Sequence, residues 1–254
     1  MKALVLKRYG GLDQVAFADI PRPTLKPDEI LVEVHAAGLN PIDYTIPKGT
    51  FKSILRLQLP ATLGSDLAGV VVEVGSRVTR FKPDDAVFAS IFDLGTGALA
   101  EFAVVPESAA ATKPANLDFV QAASIPMVGL TSWQALKERA KLQPGQKVFI
   151  PAGSGGIGTF AIQLAKHLGA KVGTTTSTDN VALVQSLGAD EVIDYIEYSF
   201  CSCIPTAGNS RRSANCLKRG ASDQWLIKFF RSIRRRRHWP ISKKAGPKER
   251  SSCR

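Results

Sequence analysis

The stretch KVFIPAGSGGIGTFAIQLAKHLGA sets Gly153, Gly155 and Gly158 in the order G-x-G-x-x-G, between a short apolar run and a longer amphipathic one. Where such a spacing joins a strand to a helix it has a chemical use. The first glycine permits a tight turn, the second lets backbone approach a pyrophosphate, and the third lets the helix pack close to the strand. The whole turn (Gly153, Ser154, Gly155, Gly156, Ile157 and Gly158) would then hold phosphates on its amides and at the positive end of the helix dipole. A plain strand-to-helix loop with packing glycines is the competing reading, and the strand–turn–helix–strand context favours the dinucleotide. The end of the next strand decides which dinucleotide, since an acid there would hold the ribose hydroxyls of NAD. Here it reads TTTSTDN. Thr176, Ser177 and Asn180 are neutral hydrogen-bonding groups suited to a 2′-phosphate, which points to NADPH. Asp179 is either an NAD-type acid or the residue that opens the following helix.

Other reactive side chains are few. His35 falls on the wetter face of EILVEVHAAG, His167 in the last turn of a helix, and His238 near the C-terminus; none is expected to be catalytic. All four cysteines (Cys201, Cys203, Cys216, Cys253) lie beyond residue 198. Residues 1–198 therefore carry neither a disulfide framework nor a cysteine-ligated metal. The cysteine spacing in the C-terminal segment fits no common zinc pattern.

The elements that must position the turn follow from periodicity. Up to about residue 115, MKALVLKRY, EILVEVHAAG, LAGVVVEVG and LAEFAVV alternate or run apolar, with PRPTLKPDE and RFKPDD as turn chemistry. They predict a β-rich domain, barrel-like or sandwich-like. Near Leu117 the period changes. DFVQAASI and MVGLTSWQALKERAKL space apolar residues as helices do. Then strand KVFIPA, helix TFAIQLAKHLGA, strand KVGTTT, helix NVALVQSLGA and strand EVIDY alternate as in a parallel α/β sheet. A doubly wound dinucleotide domain has about six strands, and this pattern supplies three before it stops.

Charge marks the same break. Residues 199–254 hold 15 basic and 2 acidic side chains, whereas residues 1–198 hold 18 basic and 20 acidic ones. The formal charge of +11 thus belongs to the C-terminal segment. FFRSIRRRRHWPISKKAG within it could bind phosphate backbones without sequence preference. The lost periodicity, the abrupt charge shift and the clustered cysteines together favour a reading-frame change or foreign sequence near Ser199 over an evolved nucleic-acid arm. The segment is expected to be disordered, with no specific nucleic-acid partner. No apolar run reaches membrane-spanning length, no basic-then-apolar leader opens the chain, and the expected location is cytoplasmic.

Several ordered motifs give the body a family likeness: AAGLNPIDY (36–44), LGSDLAGVVVEVGSRVTRFKPDDAVFA (63–89), AEFAVVP (100–106), AASIPMVGLTSWQAL (122–136), AGSGGIG (152–158) and TTSTDNVALVQSLGADEVIDY (175–195). The chain resembles the medium-chain dehydrogenase/reductase superfamily, in its zinc-independent quinone oxidoreductase and enone (2-alkenal) reductase branch, and is C-terminally incomplete beside it. The resemblance implies an α/β architecture: a GroES-like β domain over residues 1–115, a partial NADP-binding Rossmann domain over 116–198, and a cleft between them holding the active site. Zinc-dependent relatives carry Cys where this chain has Asn40 and a His-Glu pair where it has Ser65-Asp66, so no metal is predicted. The implied chemistry is hydride transfer from NADPH to a quinone or an α,β-unsaturated carbonyl. The resemblance places Asn40, Asp43 and Tyr44 at the catalytic pocket, with Asn40 and Tyr44 as donors and Asp43 as their orienter. It sets Thr131 at the nicotinamide end of the cofactor, and Tyr195 with Ser177 and Asn180 near the adenosine 2′-phosphate. A lysine that relatives often carry just after N-P-x-D is replaced here by Thr45 and Ile46. The resemblance allows a homo-oligomer in complete relatives but does not lead one to expect it of this chain. The alternatives are a non-catalytic nucleotide-binding remnant and nucleic-acid binding through the basic segment.

Overall fold

Short β-branched runs between Gly and Pro turns form the N-terminal strands, and the computed structural model describes residues 1–197 except Ile54, Arg56, Asp93, Gly95 and Thr96. The expectations for residues 198–254 lie outside the described residues. The chain divides into two compact units, Met1–Leu142 and Gln143–Arg254.

The first unit is built on two antiparallel sheets. Strands β1 (Lys2–Leu6), β2 (Val15–Asp19) and β4 (Ala61–Thr62) form one, in the order β2-β1-β4. Strands β3 (Glu29–Gly38), β5 (Asp66–Val74), β6 (Ala86–Ser90), β7 (Phe102–Pro106) and β8 (Ala110–Thr112) form the other, in the order β7-β3-β5-β6-β8. Ile30, Val32, Leu67, Val71, Val87 and Val105 are wholly buried and make the core of this larger sheet. Register irregularities interrupt the β3–β5 ladder between Leu31 and Val32 and between Val34 and Ala36. Beyond them, Gly38 pairs with Asp66 at the end of the ladder, the end from which the candidate site is built.

Helix α1 (Pro41–Thr45) follows β3 directly, with proline in its first turn where no amide partner is needed. Helices α2 (Phe119–Ala123) and α3 (Pro126–Trp133) come after the strands, and α3 runs on into a π-helical turn over Gln134–Arg139. Asp118 caps α2, accepting the Gln121 amide at 2.7 Å while the Gln121 side chain accepts the Asp118 amide at 3.1 Å. Small residues let α2 lie close on the sheet: Ala122 and Ala123 pack against Ala68. Residues 116–142 therefore belong with the β-rich unit. The change of period near Leu117 and the division between units fall at different places, because these helices bury their faces on β3 and β5.

In the second unit, β9 (Lys147–Ile150), β10 (Lys171–Thr176) and β11 (Glu191–Asp194) form a parallel sheet in the order β11-β10-β9. The crossovers are α4 (Gly156–His167) and α5 (Val181–Ser186), as parallel pairing requires. Gly158, Ala161, Ile162 and Ala165 recur at i, i+3, i+4 and i+7 and form the buried stripe of α4. Lys166 in its last turn holds Asp190, at 2.9 Å to each carboxylate oxygen, and Asp190 accepts the Val172 amide at 2.6 Å. That clamp ties the helix to the central strand.

Candidate functional site

The first group of side chains gathers where β3 ends. Asn40 is in extended backbone just before α1, and its amide donates to the Asp43 carboxylate at 2.7 Å. The other Asp43 oxygen accepts the Ser65 hydroxyl at 3.1 Å. One residue further on, Asp66 opens β5 and is 1% exposed. Its Oδ2 accepts the Asn40 side-chain amide at 3.1 Å and the Met127 backbone amide, in the first turn of α3, at 3.0 Å. Its Oδ1 makes no hydrogen bond of good geometry among the described residues, although Ser90, paired with Asp66 across the sheet, brings its hydroxyl close enough to act on the carboxyl. Burial pushes both carboxyls above the ordinary aspartate range. For Asp43 the Asn40 amide and the Ser65 hydroxyl oppose the shift. For Asp66 the Asn40 side chain, the Met127 amide and the Ser90 hydroxyl oppose it, while the Asp43 charge adds to it. Asn40, Asp43, Ser65 and Asp66 are thus one connected network.

Tyr44 follows on α1 and is half-exposed, with Lys48 Nζ 5.1 Å from its ring centroid. A cation therefore stands beside the N-P-I-D turn although Thr45 and Ile46 occupy the next positions. Thr131 is half-buried on α3, the helix whose first turn Asp66 holds.

The second group surrounds the glycine turn, which joins β9 to α4 as its spacing predicts. A Cβ at Gly153 would lie 2.2 Å from Thr174 Oγ1, and one at Gly158 would lie 2.3 Å from the Ala152 carbonyl oxygen. At Gly155 the nearest atom would be the Ala152 oxygen at 3.3 Å. Two of the three glycines are fixed by packing, and the middle one has a single close neighbour, the Ala152 oxygen. Ala152 holds φ at +54°, a left-handed conformation costing an alanine about 1 kcal/mol. Strand β10 binds the turn through successive threonines. The Thr174 hydroxyl donates to the Ile150 carbonyl at 2.6 Å. Thr175 accepts the Ala152 amide on Oγ1 at 3.0 Å and the Gly153 amide on its carbonyl at 2.9 Å. The Thr176 hydroxyl donates to Ser154 Oγ at 2.9 Å.

Thr176 is wholly buried, and its hydroxyl is engaged with Ser154. Ser177 and Asn180 are half-buried at the strand's end, with the Asn180 side-chain amide donating to Ser177 Oγ at 2.9 Å. Asp179 is exposed in the short turn Thr178–Asn180 that leads into α5. Tyr195, just past β11, is half-exposed.

An alcohol dehydrogenase GroES-like domain matches residues 26–115, and a zinc-binding dehydrogenase domain matches residues 156–210. The chain belongs to the medium-chain dehydrogenase/reductase superfamily. Among superfamily members, it is 42% identical over 201 residues to the chloroplast envelope quinone oxidoreductase homolog of Arabidopsis thaliana, covering 77% of this chain and 61% of that one. It is also 42% identical over 204 residues to the chloroplastic NADPH-dependent alkenal/one oxidoreductase of the same plant, covering 77% and 52%. The solved quinone oxidoreductase of Coxiella burnetii matches with a TM-score of 0.72 and 38% identity, covering 81% of this chain and 66% of that one. The chain thus spans about half to two thirds of the length of these superfamily relatives. The match over 156–210 continues past Tyr195, where the sequence motifs end.

Asp66 is the site residue the sequence hides. Read alone, it only stands where a zinc ligand would be; the structure makes it a partner of Asn40 and of α3. The one local signal is an acid at the head of a strand, DLAGVVVEV, whose next three residues are all buried.

Proposed function

We propose that the chain is an NADPH-dependent reductase of quinones or α,β-unsaturated carbonyls that works without zinc. The observation that carries the metal-free reading is the closed network of Asn40, Asp43, Ser65 and Asp66. Ser65 donates to Asp43, Asn40 donates to Asp66, and the oxygen that accepts from Asn40 also accepts from Met127. Amide and hydroxyl groups engaged in this way are poor zinc ligands, and the donor set does not fit the metal. The names of the relatives support the substrate class.

The nicotinamide cofactor fits the residues present. Gly153 and Gly158 admit no side chain, and Gly155 leaves room for a diphosphate against the first amides of α4. Ser177 and Asn180 would receive the 2′-phosphate, with Tyr195 beside them. When bound, the reduced nicotinamide supplies the hydride. Asn40 then offers a side-chain N–H, and Tyr44 its hydroxyl, to the oxygen on which enolate charge develops. Asp43 holds the turn that carries both, and by the resemblance Thr131 would meet the nicotinamide end of the cofactor. A second reading, a nucleotide-binding piece without turnover, draws on the 61% and 52% coverage of the relatives' lengths.

One assay separates these readings. NADPH oxidation with a 2-alkenal or a quinone should proceed, prefer NADPH over NADH, and be indifferent to EDTA. Binding of NADPH without any turnover would establish the second reading. Activity lost in EDTA and restored by zinc would overturn the metal-free one.

A further inference from the structure

A buried carboxylate whose one oxygen accepts hydrogen bonds from two separate elements ties those elements to each other. Asp66 is such a group: its Oδ2 takes both the Asn40 side-chain amide and the Met127 amide. We propose that Asp66 is a positioning residue for the reductase site, fixing the side chain of Asn40 and the start of α3 in a single register. This rests on the reading of Asn40 as a donor to the substrate oxygen.

The geometry supports it in three ways. A carboxylate is acceptor-only, so the Asn40 side chain must turn its nitrogen toward Asp66. One amide hydrogen is then committed and the second is left as a donor. The same oxygen meets the first turn of α3, which has no side-chain cap of its own. A carboxylate is favoured at a helix N-terminus, so Asp66 caps α3 from another element. Finally, Gly38 leaves no slack: a Cβ there would come 3.1 Å from Asp66 Cβ and 2.4 Å from the Ala123 carbonyl oxygen. Asp66, Asn40 and α3 are therefore held as a unit, and Asn40 and Thr131 are placed by one oxygen between them.

Asp66→Asn can put its carbonyl where Oδ2 is and keep both hydrogen bonds, whereas Asp66→Ala keeps neither. In the full ¹⁵N-labelled chain, the two Asn40 side-chain amide protons should be strongly inequivalent, one of them shifted downfield and slow to exchange. This wild-type measurement needs no variant. Asp66→Ala should collapse the difference and Asp66→Asn should restore it. In steady-state kinetics, Asp66→Ala should lower kcat by about 10–100-fold, the effect of a small misplacement. The KM for NADPH should stay within about twofold, since the turn and strand end that would hold its phosphates are built from other elements and Thr131 alone lies on α3. Asp66→Asn should return most of the kcat that alanine loses. The proposal is overturned if the wild-type Asn40 protons are equivalent, if Asp66→Ala leaves them unchanged, or if alanine keeps wild-type kcat. Absence of turnover in the wild type would instead remove the reductase reading, and the Asn40 resonances would still decide the role of Asp66.

Discussion

The three glycines of the turn share a motif but not a physical role. Gly158 has the Ala152 carbonyl 2.3 Å from where a Cβ would sit, and backbone cannot retreat cheaply. Gly158→Ala should cost about 1–3 kcal/mol, read as a lower melting temperature. Gly155 has its nearest atom, the Ala152 carbonyl oxygen, at 3.3 Å, so a side chain there needs that oxygen to give by only a few tenths of an ångström. Gly155→Asp should melt near the wild type yet weaken NADPH binding tenfold or more, about 1.4 kcal/mol, by setting a negative charge against the diphosphate. If the aspartate variant titrates like the wild type, the turn does not hold phosphates.

At the scale of elements, the approach of α2 to β3 is set by one missing side chain. Gly38→Ala would drive a methyl into the Ala123 carbonyl at 2.4 Å. It should destabilise the first unit by about 1–3 kcal/mol in urea melts, with little change in m. A neutral effect would mean that α2 can slide outward. Elements and sites were legible in the sequence to very different degrees. The turn was readable because its chemistry lies within Gly153–Gly158 and their flanking periodicities. Strands β3 and β5 announced themselves through long apolar runs, whereas β4 has two residues and β8 three, too few to show a period. The helical run expected over residues 127–142 divides into α3 and a π-helical turn, which no propensity marks. Asp66 was illegible as a partner because Asn40 is 26 residues away and Met127 is 61. The burial of Thr176 was not legible either, because its strand position shows its type but not the face it turns to.

For the whole molecule, the buried carboxylates give stability a sign with pH. Asp43 and Asp66 titrate above the ordinary aspartate range, so their contribution is full below about pH 3.9 and is lost as pH rises through their folded values. Asp190 goes the other way. Burial pushes it up, but the Val172 amide and Lys166 outweigh that, so its contribution is present above about pH 3.9 and is lost as pH falls through its lowered value. Its partner lies near the surface, where such pairs are worth little. The buried pair should dominate. The melting temperature of Asp66→Asn should therefore gain on the wild type as pH rises from about 4 toward neutrality. Parallel curves for the two proteins would show that the charge on Asp66 carries no cost.

The threonine lacing of β10 also sets the turn's clock. Ala152 and Gly153 give their amides to Thr175, and Gly155 gives its own to the Ala152 carbonyl. Gly156 and Ile157 are the first two residues of α4, where a helix supplies no carbonyl for its amides. Deuterium uptake should therefore split within six residues, slow at Ala152 and Gly153 and fast at Gly156 and Ile157. NADPH should slow only the fast pair. Uniform protection along the turn on adding NADPH would mean that ligand closes a loose loop; selective protection means that the chain delivers a rigid half and reserves the other half for its guest.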